Sequence, residues 1–253
     1  MSLIKLRERE YHLERLIVLK KRHPEVSHVL DFLHSTMSFQ KEVYERLKDC
    51  DWKGHIKKIY QLLDICRDYG SPLIQEKVQE LRKLDKEALI RKVDSFLKDK
   101  DAPDEERFIF LTFLNPFFSK GSEEMDIKKD QWLKNRCPVC GFKPCVSYIA
   151  DGEDVEGARY LVCVLCNTEW LYNRTQCVRC GNNEDNTLEY YYDQGESYAI
   201  LQVCKKCDTY MKVIDMRKDG LAVPHLDDIA TLSLDLWAKE RGFLKFERNI
   251  IGL

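Results

Sequence analysis

Four Cys-x-x-Cys pairs, at 137/140, 163/166, 177/180 and 204/207, dominate the second half of this 253-residue chain. The first and third pairs start 40 residues apart and the second and fourth 41. Cys140 and Cys180 are each followed by Gly, Cys166-Asn-Thr168 answers Cys207-Asp-Thr209, and both second pairs follow an apolar run, ending at Val162 and Val203. Self-similarity of this kind marks a duplicated unit, here of about forty residues. Two thiolates separated by two residues sit on one tight turn and can point at one ion, and a tetrahedral site needs two such turns facing each other. The repeat therefore predicts one metal site per unit: Cys137, Cys140, Cys163 and Cys166 in the first, and Cys177, Cys180, Cys204 and Cys207 in the second. The interleaved alternative, joining 137/140 to 177/180, cuts across the repeat.

The residue after each second cysteine is Gly141, Asn167, Gly181 or Asp208. These types best tolerate a left-handed backbone, which turns amides back towards the sulfurs and offsets their charge. A single Cys-x-x-Cys would be weak evidence, because thioredoxin-like redox motifs share it. Four in two matched units are strong, and a catalytic dithiol expects a strand-to-helix setting that these turns lack. The ligand set suits zinc or iron equally. Zinc with four sulfurs would be structural, whereas iron would make each unit rubredoxin-like, with one-electron chemistry.

Only Cys50 and Cys66 precede residue 137; the other nine of the 11 cysteines fall between 137 and 207. The start, Met1-Ser-Leu-Ile-Lys-Leu-Arg-Glu-Arg-Glu10, alternates charge with apolar residues and has no signal-peptide core. Clustered thiols in a chain of this kind point to metal rather than to a secreted disulfide framework, and the expectation is a cytoplasmic protein. No apolar run approaches the roughly 18 residues of a membrane span. At 44% hydrophobic the chain is too apolar to be disordered and long enough to bury a sizeable core.

The first half reads as helices. Leu13, Leu16 and Ile17 share one face before His23-Pro24 ends the pattern, and a second amphipathic stretch runs from Glu25 towards Leu47. Lys57 to Cys66 is a third. Ser71-Pro72 looks like an N-cap with proline at the first helical position, opening a helix through Val78, Leu81 and Leu84. Leu89–Leu97 and a segment beginning at Asp101 complete the set. Residues 119–131 lose the apolar face and mark the expected boundary. Beyond it come β-type runs at 159–162, 188–193 and 198–203, then a helix that opens on Asp227 and Asp228 and stops at Gly242. The predicted fold is an all-helical domain over 1–130, then a duplicated four-cysteine metal-binding domain over 131–253. Its modules span about 135–175 and 176–215, and a C-terminal helix spans about 226–241.

From residue 137 onwards the chain resembles the formate dehydrogenase accessory protein family, the FdhE type. The matching motifs are Cys137-Pro-Val-Cys-Gly141, Arg159 to Trp170, Arg174-Thr-Gln-Cys-Val-Arg-Cys-Gly181, Val203 to Val213, and Asp227 to Asp235, with Gly242 and Asn249 beyond. The resemblance implies rubredoxin-like metal modules behind a helical domain, and a cytoplasmic assembly factor rather than an enzyme. Such a protein binds the formate dehydrogenase catalytic subunit, assists its maturation and carries iron.

Other features have two readings each. Trp170 and Arg174, between the modules, would make a partner anchor if exposed, but packing of one module on the other explains Trp170 equally. Asp227 and Asp228 either join a partner surface or cap the last helix. Tyr190-Tyr-Tyr192 fits a half-buried strand better than a stacking platform for single-stranded nucleic acid, because residues 131–253 hold 15 Lys+Arg against 18 Asp+Glu. That balance also disfavours a nucleic-acid-binding zinc ribbon. Cys50 and Cys66 lie in helical patterns and read as core residues, whereas Cys145 lies outside the four pairs.

Overall fold

The computed structural model describes residues 9–125, 131–152, 155–192, 195 and 197–252. Six helices come first: α1 (Arg9–Arg22), α2 (Ser27–Arg46), α3 (Ile59–Tyr69), α4 (Pro72–Arg82), α5 (Lys86–Asp99) and α6 (Asp104–Glu124). Ser71 caps α4 by accepting the Ile74 amide, with Pro72 in the first turn, as its sequence predicts. Asp85 caps α5 in the same way.

α6 is the pillar of this half. It is buried on every side from Phe108 to Phe117, and α2, α3 and α4 pack round it. Pro116 lies inside it and has no amide to give Thr112 four residues back. The freed Thr112 carbonyl instead accepts from Gln40 Nε2 of α2 at 2.9 Å. α6 continues to Glu124, into the segment marked by the sequence as a boundary; residues 126–130 lie outside the described residues.

Strands β1 (Pro144–Ala150), β2 (Ala158–Cys163), β3 (Glu169–Tyr172), β4 (Leu188–Tyr192), β5 (Ala199–Cys204) and β6 (Thr209–Asp215) follow, then helices α7 (Pro224–Ala230) and α8 (Leu232–Glu240) and the short β7 (Leu244–Lys245). Among the described residues they form one sheet in the order β3-β2-β1-β6-β5-β4, with β7 on β6. Each repeat is an antiparallel three-strand meander, and the two join where β1 runs parallel to β6 through Ser147↔Val213 to Ile149↔Asp215. β6 is buried along its whole length and β1 nearly so, which is why neither shows the alternation of a half-exposed strand.

The expected single helix over 226–241 is two. Thr231, at φ −91° and ψ 42°, separates α7 from α8. The buried ammonium of Lys212 on β6 bonds the carbonyls of Asp228 and Thr231, drawing them out of the helical ladder.

The hydrophobic core runs without interruption from the helices into the sheet. Phe142, just after the first cysteine turn, packs at a tilt against Phe96 of α5, with ring centroids 5.6 Å apart, and Phe96 in turn meets Phe110 of α6. Arg107 of α6 is buried and holds the C-terminal segment, donating to the carbonyls of Asn249 (2.7 Å) and Arg248 (2.9 Å) and to Glu247 (2.8 Å). Among the described residues, no helix is long and apolar enough to cross a membrane.

Candidate metal centres

The cysteine turns share their backbone chemistry, as duplication requires. Gly141 and Gly181 donate to the carbonyls of Cys137 and Cys177 at 3.0 Å, and the amides of those cysteines bond the carbonyls of Phe142 and Asn182 at 2.8 Å. In the second turn of each unit, Asn167 donates to Cys163 (3.2 Å) and Asp208 to Cys204 (2.8 Å). All four following residues are left-handed, with φ of 73°, 54°, 72° and 52° at Gly141, Asn167, Gly181 and Asp208. Amides within the loops turn inwards: Val139 N–H reaches Cys137 Sγ at 3.4 Å, and the amides of Arg179, Asn182 and Lys206 support Cys177, Cys180 and Cys204.

Folding brings the eight sulfurs together as two sets, Cys137/Cys140/Cys163/Cys166 and Cys177/Cys180/Cys204/Cys207, each within 4.8 Å throughout. Cys163 ends β2 and Cys204 ends β5, so the sheet fixes one turn of each set. Sulfur–sulfur separations include 3.3, 3.5 and 3.6 Å in the first set and 3.7 and 3.8 Å in the second. Four sulfurs bonded at 2.3 Å to a central ion would lie about 3.8 Å apart, so both cages have the size for a tetrahedral ion. The donor chemistry agrees. Hydrogen bonds from Cys140, Cys163 and Cys166 pull the Cys137 thiol far below its usual range, while the bond to Cys137 pushes Cys140 up. Four thiols this close cannot all ionise unaided; a cation among them removes the conflict.

The two sets differ in their surroundings. In the first, Cys137, Cys163 and Cys166 are buried, and α6 lies over the second turn: Asn115 Nδ2 donates to the Leu165 carbonyl (2.6 Å) and Ser119 Oγ to that of Cys166 (3.2 Å). Cys166 Sγ is 3.0 Å from Thr168 Oγ1, a hydroxyl able to donate to a thiolate. The second set is the more open: Cys177 and Cys204 are buried, but Cys180 is exposed and Cys207 half-buried, whereas in the first set only Cys140 is half-buried. Sequence alone shows two equal sites; the helix that covers the second turn of one of them, α6, makes its contacts from more than forty residues upstream.

Cys145 belongs to neither set. It sits in β1, 4% exposed, with burial pushing its thiol up to about 12. Cys66 is likewise a core residue, pushed up to about 12 by burial. Trp170 is fully buried in β3 and donates its indole N–H to the Lys134 carbonyl at 2.8 Å, so it offers no surface anchor; Arg174 alone of that pair is exposed. Asp227 and Asp228 are also fully buried and form no exposed partner surface. Asp227 reaches back to the Val223 amide at 2.7 Å at the start of α7. Asp228 bonds Lys212, Lys245 and Asn249. Tyr190–Tyr192 form the edge strand β4, with Tyr190 and Tyr192 exposed and Tyr191 packed on Trp237 at 4.7 Å.

The charged residues that pin this architecture are not marked in the sequence. Lys212 is completely buried between Asp228 (3.1 Å) and Asp235, and Lys245 bridges the same carboxylates at 2.9 and 3.0 Å. Nothing in the run Thr209-Tyr-Met-Lys-Val-Ile-Asp215 distinguishes such a lysine from a solvated one. Asp228 and Asp235 stand seven apart in the sequence, but the break at Thr231 puts them on two helices, so helical periodicity does not reveal the cluster.

Residues 136–174 match the family model described as FdhE, central domain, and residues 175–251 that of FdhE, C-terminal domain. A Protein FdhE homolog from Aquifex aeolicus is 40% identical, the alignment covering 100% of this chain and 98% of the relative. This chain belongs to the FdhE family. A second FdhE homolog, from Haemophilus ducreyi, is 30% identical over 77% of this chain and 64% of its own length. The fold agrees too: the crystal structure of the FdhE protein from Pseudomonas aeruginosa superposes with a TM-score of 0.71 over 95% of this chain and 94% of that one, at 21% identity. The helical half is therefore part of the shared FdhE fold, although the family models match only from residue 136.

Proposed function

We propose that this member of the FdhE family is a cytoplasmic assembly factor that binds the catalytic subunit of formate dehydrogenase and assists its maturation. It acts by binding rather than by bond-making, with two tetrathiolate metal modules as its rigid platform. The observation that carries this reading is the pair of preformed four-sulfur cages on one continuous sheet, in a chain similar over its whole length to an FdhE homolog. The ligands are Cys137, Cys140, Cys163 and Cys166 for one ion, and Cys177, Cys180, Cys204 and Cys207 for the other. A bound zinc or iron ion supplies folding free energy and, if iron, a one-electron couple. Four sulfurs fill a tetrahedral ion's positions and leave none for substrate, which favours a structural use. Each cage ties the turn before the first strand of its meander to the turn that joins the second and third strands, so metal binding stiffens units too small to build a core alone.

Affinity purification of the tagged protein from formate-respiring cells tests the reading. Recovery of the formate dehydrogenase catalytic subunit supports it; its consistent absence, from a metal-replete bait, overturns it. A second reading, electron transfer, draws on the exposed Cys180, which would bring an iron centre's sulfur to the surface. Colourless, zinc-loaded protein that still supports assembly would remove that alternative.

A further inference from the structure

A groove of about 780 Å³ runs beside the first cysteine turn, between the C-terminal end of α5, the turn itself and the segment after β7. Six cationic side chains line it, against three carboxylates. Three of the cations already have partners. Lys245 is committed to Asp228 and Asp235, Lys143 lies 3.5 Å from Glu247, and Arg248 pairs with Asp101 and Asp104.

The other three have no carboxylate within ion-pair distance among the described residues. Lys98 stands exposed at the end of α5. Lys100 has its Nζ over the Phe142 ring at 5.7 Å and reaches only the Leu97 carbonyl, at 3.4 Å. Arg136 donates to the Gly141 carbonyl at 3.3 Å. Lys100 and Arg136 flank the same residue, since a Cβ on Gly141 would meet Lys100 Cε at 3.5 Å. The two halves thus pool positive charge here, Lys98 and Lys100 coming from the helical half and Arg136 from the half that carries 15 Lys+Arg against 18 Asp+Glu.

We propose that this groove receives an extended acidic segment of a client protein. The charge complementarity is direct, and the helix end selects between anions. Of the last carbonyls of α5, those of Phe96 and Leu97 are met by the Lys100 amide (2.7 Å) and Nζ (3.4 Å), whereas those of Lys98 and Asp99, residues that line the groove, have no partner within the helix. A polyphosphate brings only acceptors and is repelled by them, whereas a peptide brings amide donors for the carbonyls and carboxylates for the cations. The volume is that of a site for a short segment rather than for a single ion. This deepens the assembly-factor reading and rests on it, because it places one client contact beside the first metal module.

The test uses the full-length, metal-replete protein and a fluorescent Asp/Glu-rich peptide, read by anisotropy. The expected result is saturable binding that salt weakens and that Lys98→Glu/Lys100→Glu/Arg136→Glu reduces by at least about tenfold. The Asn/Gln version of the peptide should not bind. A second variant, Lys98→Gln/Lys100→Gln/Arg136→Gln, should fall between and melt like the parent protein. Absence of peptide binding at low salt, equal binding by the charge-reversed variant, or preferential binding of inorganic tripolyphosphate each overturns the proposal. So does loss of metal from the variant with unchanged peptide affinity, since the cations would then serve only to balance the thiolates. Client capture separates the two readings. A parent protein that captures the catalytic subunit as well as its charge-reversed variant does defeats the groove alone, whereas a parent that captures none defeats the assembly role.

Discussion

Arg15 of α1 grips Asp227 of α7, 212 positions away in the chain: Nε donates to Oδ2 at 3.1 Å and a second guanidinium nitrogen bonds Oδ1. Both side chains are buried. The same guanidinium bonds Asp219 at 2.9 Å, while Asp227 also accepts from Tyr198 Oη at 3.0 Å and the Val223 amide at 2.7 Å. One ion pair therefore joins the first helix to the element that follows the second metal module.

Replacing Arg15 with Met should destabilise the protein by about 3–5 kcal/mol, because a carboxylate is left buried without its cation. Asp227→Asn keeps an acceptor and should cost less. Urea unfolding of both variants checks this, and a loss below about 1 kcal/mol for Arg15→Met would mean that the pair is not holding the two halves together.

The lysine–aspartate cluster predicts a pH dependence. Burial works against the charge on Lys245, but Asp228 and Asp235 outweigh it and hold its pKa above the ordinary value. A cation raised in the folded state stabilises fully below its unfolded pKa and stops doing so as pH rises through the folded one. Melting temperature should thus be insensitive to this group at neutral pH and fall above about pH 10.4, with a shallower alkaline fall in Lys245→Met. An identical alkaline limb in parent and variant would contradict the argument.

The covering of the first centre by α6 should show in metal exchange. A chromogenic chelator is expected to draw metal in two phases, the faster from the centre with exposed Cys180. Asn115→Leu removes the bond to the Leu165 carbonyl, and it should accelerate the slower phase while leaving the faster one unchanged. A single phase, or acceleration of both, would mean that α6 does not guard the first centre.

The left-handed turns give a local prediction. At Asn167, with φ of 54°, alanine should cost roughly 1–2 kcal/mol and glycine much less. Calorimetric melting of Asn167→Ala and Asn167→Gly, each metal-loaded, separates backbone strain from loss of the side chain. Equal melting temperatures for the two variants would show that backbone strain is not the cause.

The features written plainly in the chain are those whose cause is local. Ser71-Pro72 starts a helix because a hydroxyl and a fixed φ act within one turn, and the cysteine spacing makes a turn because two intervening residues leave the chain little choice. The repeat also marks which turns meet, since each unit carries its own pair. β1, β3 and β6 were not legible. β1 and β6 are covered on both faces and lack alternation, β3 is only four residues long, and Lys212 interrupts β6 with a charge that reads as solvent-facing.

Sequence by itself thus determined the helical and cysteine-bearing halves, the left-handed turn residues and the duplication, all through forces acting over a few residues or one repeat. Only the tertiary structure decided that Trp170, Asp227 and Asp228 are interior, that the closing helix breaks at Thr231, and that one cage is covered and the other open. The physical reason is that a charge or an indole is buried only where distant partners meet its hydrogen bonds, and those partners, Arg15, Lys134 and Lys212, are brought there by the fold.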